Sequence, residues 1–146
     1  MNNTINDKIN YNINLFYMNK KFMSTSKDIF IVGLIMLVID TIYLKFIAAD
    51  PFMRMVENIQ NSKKNIDFIA AALVYLLMTG GEYYFIIKDK RTPMDAFLLG
   101  ILIYGVFDLT NKAVFTKYKW NIAIQDMFWG GVLFYTTTFI FYKITI

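Results

Sequence analysis

The chain contains no cysteine and no histidine. Without thiols there are no disulfides and no thiol nucleophile. Without imidazole there is no serine–histidine–aspartate triad, no axial haem ligand of the common kind and almost no zinc chemistry. A metal here has to be hard and oxygen-bound, and proton exchange near neutral pH falls to a carboxylate, because histidine is the side chain that ordinarily titrates there. No metal site and no cofactor is expected. A basic face is missing as well. The net charge of +4 is spread through tails and loops, whereas a nucleic-acid surface gathers its lysines and arginines with aromatics between them. No nucleic-acid partner is expected.

What is present is apolar. Of 146 residues, 57% are hydrophobic and the mean hydropathy is +0.43. One domain of this size has too little interior to hide so many Phe, Ile, Leu and Tyr side chains, so the lipid bilayer is the expected partner. Four apolar runs, at about 29–47, 67–87, 93–112 and 121–142, each approach the roughly 20 residues that cross a hydrocarbon core of about 30 Å. The expected fold is all-α: an integral membrane four-helix bundle spanning 26–146, preceded by a mobile Asn-rich tail over 1–25. Ser26 or Asp28 is the expected cap of the first span. A signal peptide is the competing reading of that span, but the run is long for one and contains Asp40.

Local signals sharpen the boundaries. Thr92, Pro93 and Asp95 form a capping-box variant opening the third span. Ala96 and Gly100 in the third span, and Gly130 and Gly131 in the fourth, allow close helix approach. Between the first two spans, Phe52, Met55, Val56 and Ile59 recur at helical spacing with Arg54, Glu57 and Lys63 off the stripe. That pattern fits a short helix lying on the membrane as well as it fits a solvated loop. With four spans the termini share a side, and the basic residues before the first span put the N-terminus in the cytoplasm.

Three spans carry an acid near the side opposite the termini. Asp40 lies roughly 10 Å inside that boundary at about 1.5 Å per residue, Asp108 lies one turn before Lys112, and Asp126 lies shortly after Trp120. An ionised Asp deep in a helix costs on the order of 2.5–3.5 kcal/mol, so each needs a wet cavity, a cation, a lysine or a proton. Tyr104, Asp108 and Asn111 share a face of the third span, Asp126 and Trp129 one of the fourth, and Asp40 and Tyr43 one of the first. These seven residues form the expected binding site for a proton, a cation or another polar ligand. Polar residues that merely tie helices together are the plainer alternative. Asp67 at the start of the second span is a candidate for the rim of the cluster. Lys112 is a candidate partner for Asp108, and Glu82 is expected to reach toward Lys88. The segments ending at Asp40 and Asp108, and those beginning at Asp67 and Asp126, also match weakly, as two tandem helix hairpins would.

Phe107-Asp108-Leu109-Thr110-Asn111, then Trp120, then Asp126-Met127-Phe128-Trp129-Gly130 resembles the bacterial membrane proteins of domain-of-unknown-function family 2177, whose pattern reads Tyr-Asp-Leu-Thr-Asn, a Trp, and Asp-x-x-Trp-Gly. Ile39-Asp40 with Tyr43-Leu44 is similar to that family's Leu-Asp-x-x-Trp-Leu, with Tyr for Trp, and the stretch from Phe52 to Arg54 is similar to its Phe-Tyr-Arg-Arg. Phe107 departs from the family Tyr, and Lys112 stands where a small apolar residue is usual. The resemblance, over about 28–142, implies four spans with Asp40, Asp108, Asn111 and Asp126 as signature positions, and no particular activity. The residues themselves point first to a proton- or cation-linked transporter or channel that associates into a homo-oligomer. A membrane-embedded lipid-modifying enzyme or accessory subunit, in which the acids hold a hard metal or act as acid and base, and a structural bundle are the alternatives.

Overall fold

The first helix does not stop where its apolar run stops. The computed structural model describes residues 2–62 and 66–145, and in it α1 runs over Asn2–Tyr43, widens into a π-helical turn at Leu44–Ala48 and passes directly into α2, Ala49–Gln60. Pro51 accounts for the wide turn. It has no N–H to donate to the carbonyl of Ile47, and its ring crowds that carbonyl, so the regular ladder is lost one turn upstream. Asn61, with a left-handed φ of 52°, ends α2, a conformation that Asn tolerates better than most residues. Two expectations change here. The segment read as a tail continues the helix of the first span, because nothing in it breaks a helix once one has formed. For the same reason the helix runs through Ser26 and Asp28, and neither caps it.

The other boundaries follow local chemistry. Asp67 caps α3, Phe68–Glu82, by accepting from the Ile69 and Ala70 N–H groups at 2.9 and 3.0 Å, which removes it from the acid cluster. A second π-helical turn, Tyr83–Ile87, leads into a tight connection. Thr92, Pro93 and Asp95 then open α4, Pro93–Val114, with the full capping box. Helix α5, Trp120–Thr145, follows a short loop. There is no strand among the described residues.

Helix α5 packs along α4 and against α1, and α1 packs in turn against α3. Small residues make the α4–α5 seam. A Cβ on Gly100 would strike the Gly130 carbonyl, and one on Gly130 would strike the Tyr104 ring. A layer of Met36, Met78, Ala96, Leu133 and Phe134 fills the middle of the bundle. The outside is as apolar as the inside: Phe30, Leu34, Phe68, Leu77, Leu102 and Phe128 all lie exposed, which only a lipid surround tolerates over so large an area. Three stretches are long and apolar enough to cross a membrane: Ile13–Ala48, Phe68–Ile87 and Pro93–Val114. Helix α5 has the length but spends its composition differently, burying Thr137 and Thr138 and carrying Gln125 and Asp126.

Of the two readings of the segment after the first span, α2 takes the amphipathic helix, but its apolar face rests on protein. Met55 is 1% exposed and packs with Tyr118, Ile122 and Ala123, with Phe52 and Ile59 alongside. The Lys119 N–H donates to the Met55 sulfur at 3.2 Å, and the Lys117 ammonium donates to the Asn58 carbonyl at 2.8 Å. The α4–α5 loop thus takes the place expected for the membrane surface. Lys63 lies outside the described residues. A Met55→Cys variant should react at least tenfold more slowly with a water-soluble maleimide than a Glu57→Cys variant. Equal rates would mean that α2 lifts freely from the loop.

Candidate functional site

Asp40, Asp108 and Asp126 come to the same end of the bundle, beneath α2, but they are held in three different ways. Asp40 is a tie. One carboxylate oxygen accepts from the Tyr75 hydroxyl at 2.5 Å and the other from the Trp129 indole N–H at 2.8 Å, joining α1, α3 and α5 through one buried side chain. Both its oxygens are occupied by fixed donors.

Asp108 is fully buried and accepts from the Tyr118 hydroxyl at 2.5 Å, while its second oxygen has no partner. Tyr118 belongs to the loop after α4. Burial, and then the hydrogen bond it donates to Asp108, push its phenol above the ordinary value, so it stays a donor at neutral pH. Lys112 does not pair with Asp108. It donates to the Tyr118 carbonyl at 2.6 Å, with its ammonium 5.8 Å from the centre of the Trp120 ring. The helical spacing that suggested an ion pair puts the two residues on one face, but the chain returning through Tyr118 comes between them.

Asp126 is half-buried beside the Tyr43 hydroxyl and within electrostatic reach of both Asp108 and Asp40. Tyr43 stacks flat on Trp129, with ring centres 3.9 Å apart, and its hydroxyl accepts from the Gln125 amide at 3.2 Å. Tyr104 lies deeper, against Gly130 and near Asp40 and Asp126. Asn111 only accepts, through its carbonyl, from the Phe115 N–H where α4 ends. Six of the seven expected residues therefore surround one polar region, and no contact joins the Asn111 side chain to it among the described residues.

Two openings reach Asp126. A cleft of about 10 Å³ lies under α2 between Tyr43, Pro51, Phe52 and Gln125, room for about one water molecule. A crevice of about 380 Å³ opens sideways between α3 and α4, with walls of Val74, Leu77, Ile103 and Phe107 and with Tyr104 and Asp126 at its inner end. Among the described residues, no three acids converge to hold a metal ion.

Tyr75, Tyr118 and Gln125 are the contributors that the sequence did not reveal; a tyrosine in an apolar run or a short loop carries no mark of the carboxylate it will meet. Glu82 also differs from expectation. It is 0% exposed and accepts from the Thr138 hydroxyl at 2.8 Å, with its other oxygen unpartnered. Lys88 points away from it and lies over the Tyr84 ring at 4.5 Å.

The model of a family described as a predicted membrane protein, domain of unknown function 2177, matches residues 25–142. No curated protein and no solved structure matches the chain.

Proposed function

The chain belongs to this family of predicted membrane proteins, and from that premise we propose a small four-span transporter in which Asp126, with Asp40 and Asp108 beside it, takes up a proton or a small cation. One observation carries the reading: Asp126 is the acid that both openings reach, while Asp40 is fully engaged by Tyr75 and Trp129. An acid placed between a water-sized cleft and the bundle interior can exchange its partner, whereas one held by two fixed donors cannot. Negative charge on Asp40 or Asp108 nearby makes a further negative charge at Asp126 costly and a cation there favourable. Helix α5 crosses as the fourth span in this reading, with Thr137 and Thr138 buried in the bundle, and the N-terminus is cytoplasmic. Assembly into a homo-oligomer lengthens the path that one small bundle offers.

Two measurements test this. Reporter tags before Asn2 and after Thr145 are expected on the same side of the membrane, with a tag at Asn61 on the other. Termini on opposite sides would remove the fourth span and the common depth of the acids with it. In proteoliposomes, the protein is expected to dissipate a proton or monovalent-cation gradient faster than empty vesicles do, and Asp126→Asn should reduce that excess at least tenfold. Wild-type vesicles no leakier than empty ones would overturn the transport reading.

A further inference from the structure

We propose that the crevice between α3 and α4 is a binding site for a single-chain amphiphile with a cationic head, the head paired with Asp126 and the chain lying between Leu77 and Phe107. This deepens the reading above by naming the cation that the acid takes, and it rests on Asp126 being the exchangeable acid.

The crevice follows from how the two helices are joined. Helix α4 touches the wide turn Tyr83–Ile87 at its start but packs along α5 thereafter. Toward the α2 end, α3 and α4 therefore leave a gap that neither fills. Its walls are aliphatic and aromatic, its outer edge faces the lipid, and its floor carries a carboxylate and a phenol. Two other clefts on the lipid-facing surface are larger, about 580 Å³ each, one along Phe30, Leu34 and Leu76 and one along Leu102, Val106 and Met127, and neither is lined by a carboxylate. Lipid chains can lie in all three. The acid distinguishes this one.

Charge decides the head group. Lys112 and Lys117 at this end donate to the Tyr118 and Asn58 carbonyls rather than to Asp126, and in this proposal the partner of an ionised Asp126 comes from outside the chain. Asp126 is the one acid that lines the crevice, and its carboxylate repels an anionic or phosphate-bearing head. A protonated amine pairs with it and is small enough to follow a chain into the bilayer interior. Volume decides the tail: about 380 Å³ is near the lower end of the roughly 300–1,000 Å³ of small-molecule pockets, which suits one chain and not the two of a glycerophospholipid.

The test uses the full-length protein in nanodiscs of phosphatidylcholine, titrated with dodecylamine and, separately, with dodecanol, and read by the fluorescence of the tryptophans, one of which stacks on Tyr43 beside the site. Saturable binding is expected, with the amine favoured over the alcohol at least tenfold. Asp126→Asn should remove that preference and leave the shared chain contribution. Leu77→Trp, which fills the crevice without touching an acid, should abolish binding of both. Equal affinity for amine and alcohol in the wild type, or a preference that survives Asp126→Asn, would overturn the proposal. The two readings fail separately: ion flux that depends on Asp126 but is indifferent to dodecylamine sinks this inference alone, and amine binding without any ion flux sinks the inorganic-cation reading alone.

Discussion

Gly100→Leu is expected to separate α4 from α5 and to abolish cooperative thermal unfolding in detergent. The reason lies in the obstacle. At most core positions an added side chain meets other side chains, which move, and overpacking costs about 1–3 kcal/mol. At Gly100 the first atoms met are the carbonyl of Gly130 and then the Cα of Gly131, and backbone inside a helix cannot give way without breaking its own hydrogen bonds. Even Gly100→Ala should lower the melting temperature by several degrees. Gly80→Ala serves as the control, because a Cβ there meets nothing within 4 Å. It should be neutral or slightly stabilising, since Ala is favoured over Gly by about 1 kcal/mol in a helix interior. Equal melting temperatures for the Gly80→Ala and Gly100→Ala variants would mean that the α4–α5 seam is looser than described.

The second large effect separates two acids that look alike in sequence. Asp40→Asn should destabilise the protein more than Asp126→Asn does. At Asp40 two donors converge, the Tyr75 hydroxyl and the Trp129 indole N–H. An Asn side chain accepts from the Trp129 N–H with its one oxygen and turns its N–H₂ to the Tyr75 hydroxyl, which has to rotate from donor to acceptor. Two hydrogen bonds to a carboxylate become two weaker neutral ones, a cost of about 1–3 kcal/mol. The Tyr43–Trp129 stack should loosen at the same time and weaken the near-ultraviolet circular dichroism. Asp126, half-buried and open to two clefts, is held by no fixed pair of donors, and its replacement should cost less than about 1 kcal/mol. If Asp126→Asn proved the more destabilising, Asp126 would be the residue holding helices together, and the transport reading would lose its acid.

Features that depend on neighbours in the chain were legible. The capping box at Thr92–Asp95 is complete within four residues, and the small residues at Ala96, Gly100, Gly130 and Gly131 mark the seam that they form. Features that depend on distant partners were not. The stripe through Phe52, Met55 and Ile59 declares an apolar face but not whether lipid or protein covers it. Tyr75 and Asp40 are 35 positions apart, and no local pattern predicts their meeting. Glu82 was read from its distance to Lys88 along the chain, whereas its partner is Thr138 on another helix. The weak internal match is informative in part. Asp40 and Asp108 each end up accepting from a tyrosine hydroxyl, as related positions would, but Asp67 caps a helix from outside while Asp126 lies within one.

The seat of Met55 also sets an order of events during synthesis. A chain emerges N-terminal end first, so α2 is complete well before the residues that cover it exist; Lys119, which donates to the Met55 sulfur, lies 64 positions further on. Through that interval the face bearing Phe52, Met55 and Ile59 has only the lipid interface to lie on. It reaches its final place once the α4–α5 loop has been made, where it covers Tyr118 and roofs the polar region. The site is therefore completed last, because α5, which brings Asp126 and Trp129, is the last element to be made.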